Sequence, residues 1–243
     1  MRVTRSYVDM PLQVGDEIVL PDAVSTHLLR VLRMQAGDAC VLFNGDGLEF
    51  DARILAVGKR ETRAGILAAR AVDLESPLQI TLLQGIARGD KMDWILQKAV
   101  ELGVVRIVPV SSDRSEVKLD AQRADKRLAH WRGIVVSACE QSGRARVAVV
   151  EPPQSLANAT LQRTGRGFLL DPFAPGSLAS LGGASLAACT IAIGPEGGWS
   201  PRDREQLHAA GFEGLRLGPR VLRTETAGIA AIAALQAMHG DLG

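Results

Sequence analysis

Two glycine-proline turns close to the C-terminus restrict this chain more than any other feature. They stand on either side of one helical stretch and lead into another that is apolar all round. The first turn reads Gly194-Pro195-Glu196-Gly197-Gly198 and follows the strand-length apolar run Thr190–Ile193. Ser200-Pro201 then opens a helix, because serine caps the free N–H groups of a first turn and proline lacks the N–H that would go unpaired there. Asp203, three residues after the cap, completes a near capping box. The second turn, Gly218-Pro219-Arg220-Val221-Leu222-Arg223-Thr224-Glu225-Thr226, feeds a helix from about Ala227 to Met238. A helix apolar on every face is predicted to be buried. Gly-Pro pairs commonly mark ordinary connections, but two such turns beside a buried helix, with Arg220, Arg223 and Glu225 around the second, predict a pocket lined by backbone N–H and C=O groups.

The 243 residues suffice for one large domain or two smaller ones. The formal charge of +1 gives no general basic field for nucleic acid. No run reaches the ~18 apolar residues of a membrane span. The N-terminus lacks a signal-peptide core, so a cytoplasmic location is expected. Cys40, Cys139 and Cys189 are too dispersed for a disulfide framework or a zinc site. Cys139 has the choice of nucleophile or core residue, and its helical setting favours the core. The chain holds neither a phosphate-cradling Gly-x-x-x-x-Gly-Lys-Ser/Thr loop nor a Gly-x-Gly-x-x-Gly dinucleotide fingerprint.

Residues 1–72 read as short strands around one helix. The strands are Val3–Val8, Glu17–Leu20, Cys40–Phe43, Leu48–Val57 and Arg63–Val72, and the helix runs from Asp22 to about Met34. Val24, Leu28, Val31 and Leu32 share one helix face and His27, Arg30 and Arg33 the other. Those cations, with Arg2 and Arg5, suit either solvent or RNA. Asp73–Pro77 marks the boundary to a second domain, 73–243. There Leu78–Gln84, a helix capped by Asp90 and ended by Gly103, and Val104–Val110 form a βαβ unit, and hence a parallel sheet. A helix from about Asp120 to Gln141 follows, with an apolar stripe of Ala124, Leu128, Trp131, Val135 and Ala138. Further strands are expected at Val147–Val150, Gly167–Leu170 and Thr190–Ile193, and helices at Gln154–Gln162 and Pro201–Ala210. Between Arg114 and Arg146 eight Lys/Arg face four Asp/Glu, 8 − 4 = +4. Arg114, Lys118 and Arg144 there are candidate phosphate contacts, although a charged outer helix face reads the same way.

The segments Ile193–Gly198 and Leu217–Ala227 resemble the SPOUT-class RNA methyltransferases, and more closely the ribosomal RNA small subunit methyltransferase E family. Arg30–Met34, Lys91–Lys98, Glu101-Leu102-Gly103 and Ala138–Arg144 extend the resemblance over nearly the whole chain. It implies an α/β protein: an N-terminal PUA-like β-barrel plus a C-terminal SPOUT α/β domain with a deep trefoil knot, knot and cofactor site lying about 190–238. It also implies a homodimer acting on 16S rRNA of the 30S subunit, with S-adenosyl-L-methionine as cofactor and N3 of one uridine (uracil 1498) as target. Cofactor contacts then fall on Leu170, Ile193, Gly194, Pro195, Glu196, Gly197, Gly198, Leu217, Gly218, Val221, Leu222, Arg223, Thr226 and Ala227. Uracil N3 must lose its proton, so Arg223 or Arg220 is expected to stabilise the anion and Glu225 to act as base. For Glu225 a plain helix-start carboxylate is the competing role, and for Arg223 a structural pair with Glu225 or Glu196. Arg2, Arg5, Arg30, Arg33, Arg114, Lys118 and Arg144 are the RNA-binding candidates. The alternatives are a SPOUT enzyme acting on another RNA position, and a non-catalytic ribosome-assembly protein.

Overall fold

The structure is a computed structural model that describes residues 4–58, 61–115, 120–182 and 185–243. Arg2 and Lys118, two of the RNA candidates, lie outside the described residues. The chain divides into two compact units, 1–75 together with 139–147, and 76–138 together with 148–243.

In the first unit β1 (Arg5–Tyr7), β2 (Glu17–Val19), β3 (Ala39–Phe43), β4 (Leu48–Val57) and β5 (Thr62–Ala71) form a five-stranded mixed sheet in the order β1-β3-β4-β5-β2. Only β1 and β3 run parallel. Inward residues alternate with outward ones in β2 and along much of β4, as a period of two requires, and Val8, Leu20, Leu42, Phe50, Ile54 and Ile66 fill the core. The expected helix from Asp22 to Met34 is shorter and irregular. α1 (Asp22–Thr26) passes into a π turn, His27–Val31. That turn rotates the following residues off the α-helical register, so Leu28 stays buried while Val31 is 64% exposed and Leu32 also faces water.

The second unit is built on a sheet whose pairs are all parallel. Its strands are β6 (Gln79–Gly85), β7 (Arg106–Ser111), β8 (Val149–Val150), β9 (Gln154–Ser155), β10 (Arg166–Leu170), β11 (Gly176–Ser177), β12 (Ala188–Ile193) and β13 (Phe212–Arg216). The order is β11-β13-β10-β12-β6-β7-β8, with β9 also on β7. β6 and β12 are central and covered on both faces, so their residues are buried nearly throughout, the polar Thr81, Gln84 and Thr190 included. The helices are α2 (Asp90–Glu101), α3 (Ala121–Ser142), α4 (Leu156–Thr160), α5 (Pro201–Ala209) and α6 (Thr224–His239). Asp90 proves to be the first helical residue of α2 rather than its cap, since Gly89 occupies the cap position. The segment expected to be helical from Gln154 opens instead with β9, and α4 starts only after the Ser155 cap. β13 was not foreseen, because its sequence Phe-Glu-Gly-Leu-Arg carries no sustained apolar run.

α3 runs from the second unit into the first, where its C-terminal turn is held by Arg5. That guanidinium donates to the carbonyls of Cys139 (2.8 Å), Glu140 (2.9 Å), Gly143 (3.0 Å) and Arg144 (3.2 Å). It is also ion-paired with Glu49 and lies 4.7 Å from the Phe43 ring centroid. A cation at a helix C-terminus satisfies carbonyls that have no intrahelical partner. Arg5 is therefore a structural clamp, a role other than the RNA contact expected of it. The same holds for Arg144, 4% exposed and gripping both oxygens of Glu75. Cys139 is fully buried, as a core cysteine.

Arg5→Met should cost about 1–3 kcal/mol of stability in equilibrium denaturation, because the carbonyls lose their donor while Glu49 keeps its pair with Arg70. Arg30→Met, on the exposed turn, should stay within about 0.5 kcal/mol. Equal effects of the two changes would refute the clamp.

Candidate active site

The C-terminal ends of β10 and β12, and the loops that follow β12 and β13, enclose a cavity of about 440 Å³ in the second unit. That size suits a drug-sized ligand. The first glycine turn leaves β12 and the second precedes α6, so both predicted turns meet in one wall. Of the expected cofactor contacts, Leu170, Ile193, Gly194, Pro195, Glu196, Gly197, Gly198, Leu217, Val221, Leu222, Arg223 and Ala227 line the cavity. Gly218 and Thr226 do not. Gly218 shapes the turn through its left-handed backbone (φ +69°), and Thr226 is exposed to solvent. All three expected catalytic residues, Arg220, Arg223 and Glu225, lie in the wall.

The two turns are fastened from behind. Thr224 donates its hydroxyl to the Gly194 carbonyl at 2.6 Å and accepts from the Gln84 amide at 3.1 Å. Gln84 also donates to the Gly85 carbonyl at 2.8 Å. A Cβ on Gly85 would come within 2.5 Å of Pro195, so only glycine lets the end of β6 approach the first turn. At Gly198 the left-handed backbone (φ +67°) leaves open space where a Cβ would point. Close approach of a ligand to the backbone is thus permitted there. After this turn the Ser200 hydroxyl accepts from the Asp203 N–H and the Asp203 carboxylate from the Ser200 N–H, each at 3.0 Å, forming the expected capping box.

The charges of the wall fall into two groups. Glu196 accepts the Arg88 N–H at 3.1 Å and pairs with Lys91 at 3.4 Å. Burial alone would raise its carboxyl, but the Arg88 N–H, its own N–H and the Lys91 ammonium outweigh that and hold it below the usual range. Asp171 and Arg204 pair at 2.9 Å. Arg220 and Arg223, by contrast, are exposed, and among the described residues neither forms an ion pair. The structural pairing of Arg223 with Glu225 or Glu196 is therefore not realised. Glu225 sits in the first turn of α6, 9% exposed, and among the described residues its Oε2 has no hydrogen-bond partner. Arg114, expected to contact RNA, also stands in this wall and donates to the Gly197 carbonyl at 3.0 Å. Arg30 and Arg33 are exposed on the first unit.

Sequence reasoning missed Lys91, Pro172, Phe173, Trp199, Arg204 and Leu215 as wall residues. Trp199 carried a usable signal, standing directly after the Gly-Gly pair. Arg204 did not, because its place depends on how α5 lies against β13. Among the described residues no group of His, Cys, Asp and Glu could hold a metal ion, and no helix is long and apolar enough to cross a membrane.

Comparison with known proteins decides the family. A profile of the RNA methyltransferase domain matches residues 74–236, and one of the RNA methyltransferase PUA domain matches residues 20–67. The chain belongs to the ribosomal RNA small subunit methyltransferase E family. It is 35% identical to the enzyme of that name from Buchnera aphidicola, over 99% of this chain and 98% of the relative. The Neisseria gonorrhoeae family member, crystallised with S-adenosyl methionine, is 42% identical with a TM-score of 0.91 and full coverage of both chains. The Legionella pneumophila structure of Lpg2936 with bound cofactor SAM is 36% identical with a TM-score of 0.94, again over the whole of both chains.

Thr224→Val keeps the shape of the side chain but strands the Gly194 carbonyl and the Gln84 amide. It should cost about 1–3 kcal/mol in chemical denaturation, and Thr224→Ser much less. If serine costs as much as valine, the methyl group and not the hydroxyl is the fastening.

Proposed function

We propose that this protein is an S-adenosylmethionine-dependent methyltransferase that modifies N3 of a specific uridine (uracil 1498) in 16S rRNA of the small ribosomal subunit. The observation that carries the reading is the cavity wall itself, where a buried carboxylate oxygen without a partner and two unpaired guanidinium groups stand beside two glycine turns. The non-catalytic assembly role has no use for such a wall. The family membership favours small-subunit rRNA over another RNA position.

The residues present fit the cofactor. Gly198 leaves room for backbone approach, while Ile193, Leu170, Leu217 and Leu222 offer apolar contact to an adenine and backbone groups to its edge. Glu196, kept ionised by Arg88 and Lys91, is placed to accept ribose hydroxyls. When bound, the cofactor supplies a methyl group made electrophilic by its sulfonium. The work of the chain is on the other reactant. Glu225 Oε2 takes the N3 proton of uracil, and Arg223, assisted by Arg220, stabilises the anion that results. The deprotonated N3 is then the nucleophile that such a methyl group would meet, with the thioether as the leaving group that keeps the electron pair. Arg30 and Arg33 serve as phosphate contacts on the first unit.

The same reading gives the finer architecture. The first unit is a PUA-like barrel, supported by the profile over residues 20–67 and by its enclosed core. The last segment passes through a deep trefoil knot. In support, β13 lies on the far side of β10 from β12, yet the chain after it returns to pack α6 on α2, β12 and the turn Leu178–Leu181. The partner of α6 is a second copy of the chain, forming a homodimer. Ile229, Ala230, Ala233 and Ala234 are only half-buried, and Met238 is exposed, on a helix that is apolar from Ala227 to Leu235.

Arg223→Ala should lower methyl transfer to small-subunit particles by on the order of 10²–10³-fold, with little change in binding of S-adenosylmethionine measured by calorimetry. Arg223→Lys should recover part of the rate, since a point charge replaces a fork. Parallel loss of cofactor binding would instead make the arginine a cofactor ligand. For the assembly, solution scattering at micromolar concentration should give the mass of a dimer, and Ala233→Glu should give that of a monomer. A monomeric wild type that still transfers methyl groups would refute the dimer.

A further inference from the structure

Phe173 has no part in the chemistry above, although it stands in the cavity wall 80% exposed. Leaving an aromatic ring in water forgoes the stabilisation that burial would give, and a lone exposed ring on a loose loop would call for no explanation. This loop is not loose. The Asp171 N–H donates to the Leu215 carbonyl at 3.0 Å, and the Ala174 N–H to the Asp171 carbonyl at 3.1 Å. The Phe173 N–H donates to Asp171 Oδ1 at 3.0 Å, and the Asp171 carboxylate pairs with Arg204 at 2.9 Å. Pro172 fixes one further torsion, and Ala174 is buried. The ring is thus held in water by a fixed mount.

The wall is also graded from inside to outside. Ile193, Trp199, Leu215 and Thr224 are buried, whereas Phe173, Arg220, Val221 and Arg223 are exposed, Val221 by 75%. A group that fits the exposed side has apolar faces, for the ring and the valine, and a polar edge able to carry negative charge, for the guanidinium groups. A nucleobase has that chemistry, and aromatic stacking is how single-stranded and extruded bases are commonly held. The cofactor adenine is the competing flat group. It is expected at the buried, backbone-lined side, and a ring 80% exposed meets what arrives from solvent.

We infer that Phe173 is the platform on which the target base of the RNA stacks as it enters the cavity, a role that rests on the uridine-methyltransferase reading. Stacking holds the base plane so that the N3 edge faces Glu225 and Arg223. Phe173 is then a substrate-positioning residue, and its loss acts on RNA and not on cofactor.

The test uses the full-length protein, small subunits from cells lacking this gene, and a 16S rRNA fragment carrying 2-aminopurine at the target position. Phe173→Ala and Phe173→Leu should each lower kcat/KM for the subunit roughly 10- to 100-fold. Phe173→Trp should restore it to within a few-fold, because it supplies a stacking face that leucine lacks. Affinity for S-adenosylmethionine and melting temperature should not change. Wild-type protein should quench the 2-aminopurine, and the alanine variant should not. A leucine variant as active as wild type, or an alanine variant that still quenches, would overturn the platform. A fall in cofactor affinity parallel to the fall in rate would give the ring to adenine instead. Should wild-type protein transfer no methyl group to rRNA, the uridine reading fails by itself, and the quenching experiment still decides whether Phe173 holds a base.

Discussion

The hydrogen bond from the Thr224 hydroxyl to the Gly194 carbonyl carries the active site. A pocket walled by glycine turns has little side-chain packing of its own to fix its shape, and backbone held only by solvent would wander. Here the hold comes from below. Thr224 ties the start of α6 to the first turn, and Gln84 ties Thr224 to the end of β6. The contact of Gly85 with Pro195 keeps the turn against the strand. The network is fully buried at Gln84, where each hydrogen bond is stronger than at the surface and each missing partner more costly. It leaves the other face of both turns free for a ligand.

Arginine takes several unlike roles in this molecule, and the role follows from what surrounds the guanidinium. Arg5 and Arg144 are enclosed by carbonyls and carboxylates, where a planar fork satisfies several acceptors at once. Arg204 balances Asp171 and so fixes the loop that presents Phe173. Arg114 steadies the first turn through the Gly197 carbonyl. Among the described residues Arg220 and Arg223 have no ion-pair partner, and they share the wall with a buried carboxylate oxygen in the same condition. The two guanidinium groups keep their hydration in solvent while the carboxylate oxygen is buried, so this wall holds charge that folding has not already paired.

Those roles mark the limit of what could be read in advance. The parallel sheet was legible because a strand at Leu78–Gln84, a helix ended by Gly103 and a strand at Val104–Val110 follow one another, and a crossover helix of that kind joins parallel strands. The α5 capping box was legible because Ser200, Pro201 and Asp203 act within one turn. Thr224, by contrast, reaches Gly194 across thirty residues and Gln84 across one hundred and forty, and no local pattern records such a meeting. The π turn at His27–Val31 escaped because its residues suit an ordinary helix equally well.

By itself the sequence determined the local rules: where glycine turns must interrupt strands, where serine must cap, which stretches must leave water, and hence that two backbone turns lie beside a largely apolar helix. The tertiary structure alone decided which charges are spent. Arg5 and Arg144 looked like surface cations because charge is visible in sequence and its neighbours are not. A guanidinium is a clamp or a free cation according to the carboxylates and carbonyls that folding brings within about 3 Å of it, and those come from distant parts of the chain.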